Sequence, residues 1–317
     1  MSIRNLHHHR SGGFTLIEML IVLAILAILA SLVFGAVFQA QIAAREERTK
    51  GLIAKLHGQI MSRYESYKYR RIPVILPPGT EPNQAARRRL QATRDLMRFE
   101  MPDRYGDFMS GTNPRTPPST SVASTPAIAL AYHRRYTSNR FNGTPRTPTV
   151  QHEAAECLYL ILTMGLGEEG LSAYELSNLE VGDVDSDGMP EFLDGWGNPI
   201  VYIRTPVRFI SELQPLDPAT NTRNPDLTPD PFDVRKVDLD PSTNLYRGLA
   251  VYPLIYSRGE DGVSNVNTGA GINFTFPINA SNSPFSSTNL AGQDRDAGGN
   301  VLPENQDNIH NHLIGTR

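Results

Sequence analysis

The segment Gly12–Leu32 reads GGFTLIEMLIVLAILAILASL and is the most informative part of this chain. The apolar run extends to Phe38, and its last 20 residues, 19–38, contain no charged side chain. At a rise of about 1.5 Å per residue, such a helix spans about 30 Å, the thickness of the hydrocarbon core of a bilayer. A helix also satisfies its own backbone hydrogen bonds, as lipid requires. We therefore expect residues 14–38 to form a membrane-spanning helix.

Residues 1–13, MSIRNLHHHRSGG, form a short, polar and basic leader in front of this run. A secretory signal peptide is a poor fit, because its apolar core usually has only about 7–15 residues. A plain single-span anchor explains the length and the basic flank, which the positive-inside rule keeps in the cytoplasm. It does not explain Glu18, since a carboxylate within an apolar helix costs up to about 2.5–3.5 kcal/mol. The position of Glu18 therefore favours a third class of protein.

The pair Gly13-Phe14, the sequence Thr15–Glu18, the basic leader and the uninterrupted apolar helix together resemble the N-terminus of type IV pilins and type II secretion pseudopilins. The resemblance implies that a prepilin peptidase cuts after Gly13 and that the new N-terminal Phe14 is methylated. It also implies that the Glu18 carboxylate pairs with the Phe14 amine of a neighbouring subunit and sets the register of a filament. The expected partners are copies of this chain, other pseudopilins, the prepilin peptidase and an inner-membrane assembly platform.

Residues 39–72 continue the helix with a different pattern. Apolar residues recur at three- and four-residue spacing, which predicts an amphipathic helix with one face toward a soluble core. These residues are Ile42, Leu52, Ile53, Leu56, Ile60, Tyr64 and Tyr67. Gly51 and Gly58 each weaken the helix by about 1 kcal/mol. We expect it to reach Arg70 and to stop before Pro73.

The middle of the chain, residues 73–150, is rich in Pro, Ser and Thr, which predicts a loop-rich insert with one short helix at Asn83–Arg98. A globular C-terminal domain is expected from residue 151 to 317. Its first element is a helix from His152 to Leu166, which carries Cys157, the only cysteine. His152 and the glutamate after it begin a zinc-protease motif, but position 156 is Glu where the second histidine should stand. We therefore expect no zinc site there.

An acidic stretch runs from Asp183 to Asp194 and reads DVDSDGMPEFLD. Acidic residues at positions one, three, five, nine and twelve, with Gly at six, match the spacing of an EF-hand calcium loop. Position twelve is Asp instead of Glu, and no helix follows. The predicted oxygen ligands are Asp183, Asp185, Asp187, the carbonyl of Met189, Glu191 and Asp194. The alternative is an Asp-Gly-rich turn without an ion.

The sequence DGWGNPIVYIR, which begins at Asp194, resembles a segment of the major pseudopilins that leads into a small antiparallel sheet. It predicts a strand at Ile200–Ile203, with Trp196 in the core. A second strand is predicted at Leu249–Ser257, and the turn after it, SRGEDG, resembles the calcium loop of the same family. The resemblance implies Asp261 and Asp307 as ligands, although the two glycines of this turn would explain it without an ion.

Together these patterns predict an α+β protein in which a long, half membrane-embedded helix packs on a small antiparallel sheet. The 30 basic and 33 acidic side chains are nearly balanced, so nothing indicates a nucleic-acid partner. We expect a structural subunit of a type II secretion pseudopilus, anchored in the inner membrane with its C-terminal domain in the periplasm. A type IV pilus or DNA-uptake pilin is the alternative, although one cysteine excludes its usual disulfide loop. No catalytic constellation indicates an enzyme.

Overall fold

The computed structural model describes residues 15–109, 122, 124–165, 179–206, 216, 230–240, 245–246, 252–263 and 307–312. In these parts the protein is α+β, as the sequence predicts. The α-helices are α1 (Leu16–Ser66), α2 (Pro82–Glu100), α3 (Ala127–Thr137) and α4 (Glu153–Thr163), and a 3-10 turn covers Tyr105–Asp107. The strands are β1 (Arg140–Phe141), β2 (Thr144–Pro145), β3 (Val181–Gly182), β4 (Glu191–Phe192), β5 (Val201–Ile203), β6 (Leu239–Asp240), β7 (Leu245–Tyr246), β8 (Leu254–Ser257) and β9 (Ile309–His310).

The strands are short and all pair antiparallel. β5, β8 and β9 form a three-stranded sheet in the order β5-β8-β9, in which Tyr202 lies opposite Ile255 and Tyr256 opposite His310. β1–β2, β3–β4 and β6–β7 form separate pairs. The sheet contains the predicted strand near residue 200, and its central strand is the C-terminal part of the predicted strand at 249–257. Residues 247–251 lie outside the described residues.

The chain divides into two compact units, Met1–Glu46 and Glu47–Arg317. In the first unit, the large apolar side chains from Leu16 to Phe38 are exposed, and this part of α1 is long and apolar enough to cross a bilayer. In the second unit, α1 has a buried face made of Ile53, Leu56, Ile60 and Tyr64. The predicted change from an all-apolar to an amphipathic helix is therefore present.

α1 ends at Ser66, four residues before the predicted end at Arg70. The Ser66 hydroxyl donates to the backbone carbonyl of Arg63 at 2.7 Å, a local bond that competes with continued helix. The next residues then turn toward α2, where Tyr67 and Arg70 both donate to the buried carboxylate of Glu100. This tertiary contact ends the helix earlier than Pro73 would.

α4 lies between two hydrophobic cores of the second unit. One core joins α1 and α4 to the sheet through residues such as Leu56, Leu158 and Tyr202. The other joins α4 to α2 and α3 and includes Cys157, which is fully buried. α4 thus has apolar contacts on both sides, which explains why nine of its residues are buried.

The stretch 73–150 contains more structure than its composition predicts. The expected short helix is present as α2, but α3 and the 3-10 turn are additional, and all three contribute to the second core. Buried ion pairs attach this stretch to later segments: Arg204 bonds Asp107 at 2.7 Å, and Arg94 bonds Asp230 at 2.6 Å. Composition did not indicate these partners because they come from distant parts of the chain.

Candidate functional site

The N-terminus of α1 is closed by a reciprocal pair of side chains. Thr15 precedes the first helical residue, and its backbone N–H and its hydroxyl donate to the Glu18 carboxylate at 2.8 and 2.9 Å. The Glu18 N–H donates in turn to the Thr15 hydroxyl oxygen at 3.3 Å. This is the capping box that an S/T-x-x-E sequence forms at a helix start. Gly13 and Phe14 lie outside the described residues, so the processing site remains a prediction.

Behind this cap, α1 presents apolar side chains on every side. Leu16 is 84% exposed and Phe34 75% exposed, and Leu23, Leu29 and Leu32 are each more than half exposed. A helix that is apolar all round is stable in water only when lipid or other protein covers it. The described residues of the chain leave this surface uncovered, and the segment is long and apolar enough to cross a bilayer.

The second candidate site is the acidic loop between β3 and β4. Asp183 accepts the backbone N–H groups of Asp187 and Gly188, and the Asp187 carboxylate accepts the N–H of Met189. Thr149 donates its hydroxyl to Asp185 at 2.6 Å. Carboxylate oxygens of the first three loop aspartates lie within 4.8 Å of one another. The loop is therefore folded with these three carboxylates converging, as the EF-hand spacing predicts.

Gly188, the sixth residue of the loop, is required by a close contact. Its φ is +99°, and a Cβ there would lie 2.8 Å from the backbone oxygen of Arg140. A neighbour of Arg140 also bonds the loop: the Asn139 side chain donates to the Asp187 carbonyl at 2.7 Å. Arg135 donates to the Gly188 carbonyl at 2.9 Å. The loop is thus attached to the end of α3.

Glu156 of α4 belongs to the same cluster, although the sequence did not indicate it. One of its carboxylate oxygens lies within 4.8 Å of carboxylate oxygens of Asp185 and Glu191. Glu156 and Glu191 are both fully buried. Burial, reinforced by the neighbouring acidic groups, raises the pKa of Glu156 to about 10 and that of Glu191 to about 8. The only available signal was a charged residue on the buried face of a predicted helix.

Asp194, which the loop spacing assigns to position twelve, points elsewhere. One carboxylate oxygen accepts the backbone N–H groups of Trp196 and Asn198, both at 2.8 Å. The other accepts the hydroxyl of Ser257 at 2.6 Å. Asp194 therefore closes an Asx-type turn and links it to β8. It is not among the groups of converging carboxylates in the described part of the chain.

Trp196 also differs from its prediction. It is only partly buried and belongs to neither core cluster of the described residues. Trp196 lies in the tight turn that Asp194 closes, in which backbone bonds join Asp194 to Asn198 and Ile200 to Phe192. The core position next to the sheet is taken by Ile200, which is fully buried.

The turn at Arg258–Gly262 lies against Asp307, as the resemblance implied. The Asp307 carboxylate accepts the N–H of Asp261 at 3.1 Å, and a Cβ on Gly259 would clash with Asp307. Asn198 donates to the Gly259 carbonyl at 2.9 Å, which joins this turn to the segment before β5. Asp261 and Asp307 are not part of a group of three possible ligands among the described residues. Their role as calcium ligands remains a prediction.

Comparison with known proteins identifies the N-terminus. Residues 8–34 match the family model of the prokaryotic N-terminal methylation motif. No curated protein and no solved structure matches the chain. The match contains Gly13, Phe14 and Glu18 together with the first turns of α1.

Proposed function

Because the methylation motif and the long apolar helix make this chain a type IV pilin-like protein, we propose that it is a structural subunit of a pseudopilus that supports type II protein secretion. The subunit is made with a cytoplasmic leader and anchored in the inner membrane by the apolar part of α1, with its second unit in the periplasm. Prepilin peptidase removes the leader after Gly13. The subunit then leaves the bilayer and joins a filament.

The exposed apolar half of α1 carries this proposal. Its side chains have no cover within the described chain, so the same surface must be covered by lipid before assembly and by neighbouring helices afterwards. In a structural subunit this surface contacts lipid before assembly and neighbouring helices in the filament. In a simple anchor it contacts only lipid.

The capping box gives Glu18 a role in both states. In the single subunit, its carboxylate is satisfied by the Thr15 donors and faces outward. In a filament, the Phe14 amine of a neighbour approaches the same carboxylate. A pair of opposite charges in a low-dielectric surrounding favours one axial register, since any other register leaves both charges unpaired.

Two features support a secretion pseudopilus over the alternatives. The sequences DGWGNP, from Asp194, and SRGEDG, from Ser257, resemble segments of the major pseudopilins, and Asn198 bonds the two turns through the Gly259 carbonyl. Cys157 is buried in a core and, as the only cysteine, cannot form the intrachain disulfide that is usual in type IV pilins.

The first test is substitution of Glu18. Glu18→Ala should leave membrane insertion and leader cleavage intact and reduce the amount of assembled filament roughly tenfold or more, as expected for loss of one charge pair. Glu65→Gln, which removes an exposed carboxylate further along α1, is the matched control and should assemble normally. Mass spectrometry should find methylated Phe14 as the first residue in both variants. Normal assembly of Glu18→Ala would contradict the proposal.

The second test separates secretion from the other filament functions. The gene is deleted and complemented in its own host, and the release of secreted enzymes, surface motility and DNA uptake are measured in parallel. We expect enzymes to accumulate in the periplasm while motility and DNA uptake stay unchanged. Loss of DNA uptake or motility with normal secretion would favour the alternative function.

A further inference from the structure

We propose that Glu156 of α4 and Glu191 of β4 bind one divalent cation, Ca²⁺, together with Asp185 of the acidic loop. The inference goes beyond the proposed filament function and does not depend on it. It also differs from the EF-hand set that the sequence predicts, because a helix residue outside the loop takes the place of Asp194.

The carboxylate of Glu156 is the observation that carries the site. Glu156 is 0% exposed, and neither of its carboxylate oxygens has a hydrogen-bond partner in the described part of the chain. One oxygen lies within 4.8 Å of carboxylate oxygens of both Asp185 and Glu191. Buried polar groups are nearly always bonded, so a buried carboxyl group with two unbonded oxygens, one of them in a cluster of acids, indicates an absent partner.

Glu191 shows the same property from the other side of the cluster. It is also fully buried, and its Oε1 has no partner among the described residues, while its Oε2 accepts only the N–H of Val184 at 3.2 Å. Two buried carboxyl groups from separate elements therefore have unbonded oxygens, and each contributes one oxygen to the same cluster. This convergence is stronger than an acidic loop alone.

When its carboxyl groups are ionised, the cluster carries a large negative charge that no ion pair offsets in the described parts of the chain. Asp183 and Asp187 lie beside Asp185, which brings the number of carboxylates to five. None of the five forms an ion pair in the described parts of the chain. Burying one unpaired carboxylate is costly, and several together are more so. A divalent cation is the partner that offsets this repulsion most directly.

The ligand chemistry favours calcium. The converging atoms are all carboxylate oxygens, which suit hard cations and not Zn²⁺ or copper, for which imidazole and thiolate are preferred. Calcium–oxygen distances of about 2.3–2.6 Å place two ligands of one ion up to about 5 Å apart. The separations of up to 4.8 Å in both groups agree with this limit. Asp185 belongs to both groups and so can bridge the loop aspartates and the two buried glutamates.

A cation at this position would join three elements. Asp185 lies in the loop, Glu191 begins β4, and Glu156 lies in the first turn of α4, the helix that contacts both cores. Binding should therefore stabilise the fold of the whole second unit, because the ion binds the folded arrangement and not the unfolded chain.

The experiment measures thermal unfolding of the full chain in detergent, with EGTA or with CaCl₂. At a calcium concentration of about 100 times the Kd, we expect the Tm to rise by about 4 °C. Glu156→Gln and Glu191→Gln should each remove most of this rise, since glutamine keeps the size of the side chain and loses the charge. Glu65→Gln is the control for net charge and should keep the full rise.

Two further variants locate the ion. Asp194→Asn should keep the calcium response, because Asp194 closes a turn, whereas the EF-hand spacing predicts its loss. Asp261→Asn should also keep it, which separates this site from the turn at Arg258–Gly262. A wild-type Tm that does not respond to calcium, or a rise that survives Glu156→Gln, overturns the proposal.

A measurement on the unsubstituted chain covers the case in which a variant fails to fold. Hydrogen exchange is compared in EGTA and in CaCl₂. We expect calcium to slow exchange both in the loop from Asp183 to Glu191 and in the first turns of α4. Protection confined to the loop would show that Glu156 is not a ligand. Neither result affects filament assembly, so this proposal and the proposed function fail independently.

Discussion

The two halves of α1 have nearly opposite surfaces although they belong to one helix. From Leu16 to Phe38 every large apolar side chain is exposed, whereas from Ile53 to Tyr64 the apolar side chains form a single buried face. Both halves have the backbone bonding of an ordinary α-helix. The difference lies in what covers them: described residues of the same chain bury one face of the second half, whereas they leave the apolar side chains of the first half exposed.

This contrast predicts where substitutions will act. A side chain of the second half contributes to the free energy of unfolding of its own subunit. A side chain of the first half contributes to interactions with lipid or neighbouring subunits, which a measurement of unfolding in detergent does not detect. The same substitution should therefore have different consequences at matched positions.

Leu56→Ala and Leu26→Ala test this contrast with the largest expected effect. Leu56 is fully buried in the core of α1, α4 and the sheet, so truncation should lower the free energy of unfolding by about 2–5 kcal/mol. Leu26 is 55% exposed in the apolar half, and its truncation should change the free energy of unfolding by less than about 0.5 kcal/mol. Chemical denaturation followed by near-UV circular dichroism measures both. Equal losses would show that the first half also packs within its own subunit.

Glu100→Gln tests what ends the second half. Glu100 is 3% exposed and accepts bonds from Tyr67 and Arg70, the residues that follow α1. Loss of these charge-assisted bonds should destabilise the protein by about 2–3 kcal/mol. The control is Glu65→Gln, which removes a surface pair with Lys68 at 3.9 Å and should cost less than about 0.5 kcal/mol. If the two variants behave alike, the contact with α2 does not define the helix end.

The sequence was sufficient for the parts of the fold that depend on periodicity. The uncharged run after Glu18 and the spacing from Ile53 to Tyr64 predicted both halves of α1, and the apolar pattern after His152 predicted α4. The S/T-x-x-E pattern at Thr15 forms a capping box, which is a further feature of short range that the sequence analysis did not predict. These features depend on residues within about one turn of each other.

The parts that depend on distant residues were not predictable in this way. Glu156 lies 27 positions before Asp183 and joins the acidic loop only because α4 packs against β4. Asp194 matched the loop spacing, but its own turn, with bonds to Trp196 and Asn198, determined its orientation. α3 was missed because its neighbourhood is rich in Pro, Ser and Thr, and its stability comes from the second core. In each case tertiary contacts outweighed the local pattern.

Acid should weaken the second half of α1 through His312. Its ring bonds the Pro253 carbonyl at 2.9 Å, and the adjacent Asn311 contacts His57 of α1. Burial lowers the pKa of His312 from its ordinary value of 6.5 to about 3, with His310 and His57 adding to the shift. Above pH 6.5 the ring is neutral in both states, so its contribution is complete. Below that value the unfolded chain takes up a proton that the folded chain excludes until about pH 3, and stability falls.

At pH 5 this loss of unfolding free energy should amount to about 2 kcal/mol. The pH lies 1.5 units below the unfolded pKa of 6.5, and each unit corresponds to about 1.36 kcal/mol. The measurement is the difference in unfolding free energy between the wild type and His312→Asn, taken at pH 7 and pH 5. Titrating groups that do not interact with His312 are common to both proteins and cancel. A difference that does not change with pH would mean that the pKa of His312 is the same in the folded and unfolded states.

The smallest expected effect comes from replacing one glycine in each half of α1. Gly58 is an exposed position in the second half, and a Cβ added there meets no atom within 4 Å. Gly58→Ala should therefore raise the free energy of unfolding by about 1 kcal/mol, because alanine loses less conformational freedom in a helix. Gly35 is equally open in the first half. Gly35→Ala should leave the unfolding of the second unit unchanged, since that half contributes nothing to the two cores. An equal gain from both substitutions would mean that α1 unfolds as one cooperative element. The exposed first half would then contribute to the free energy of unfolding as much as the second half does.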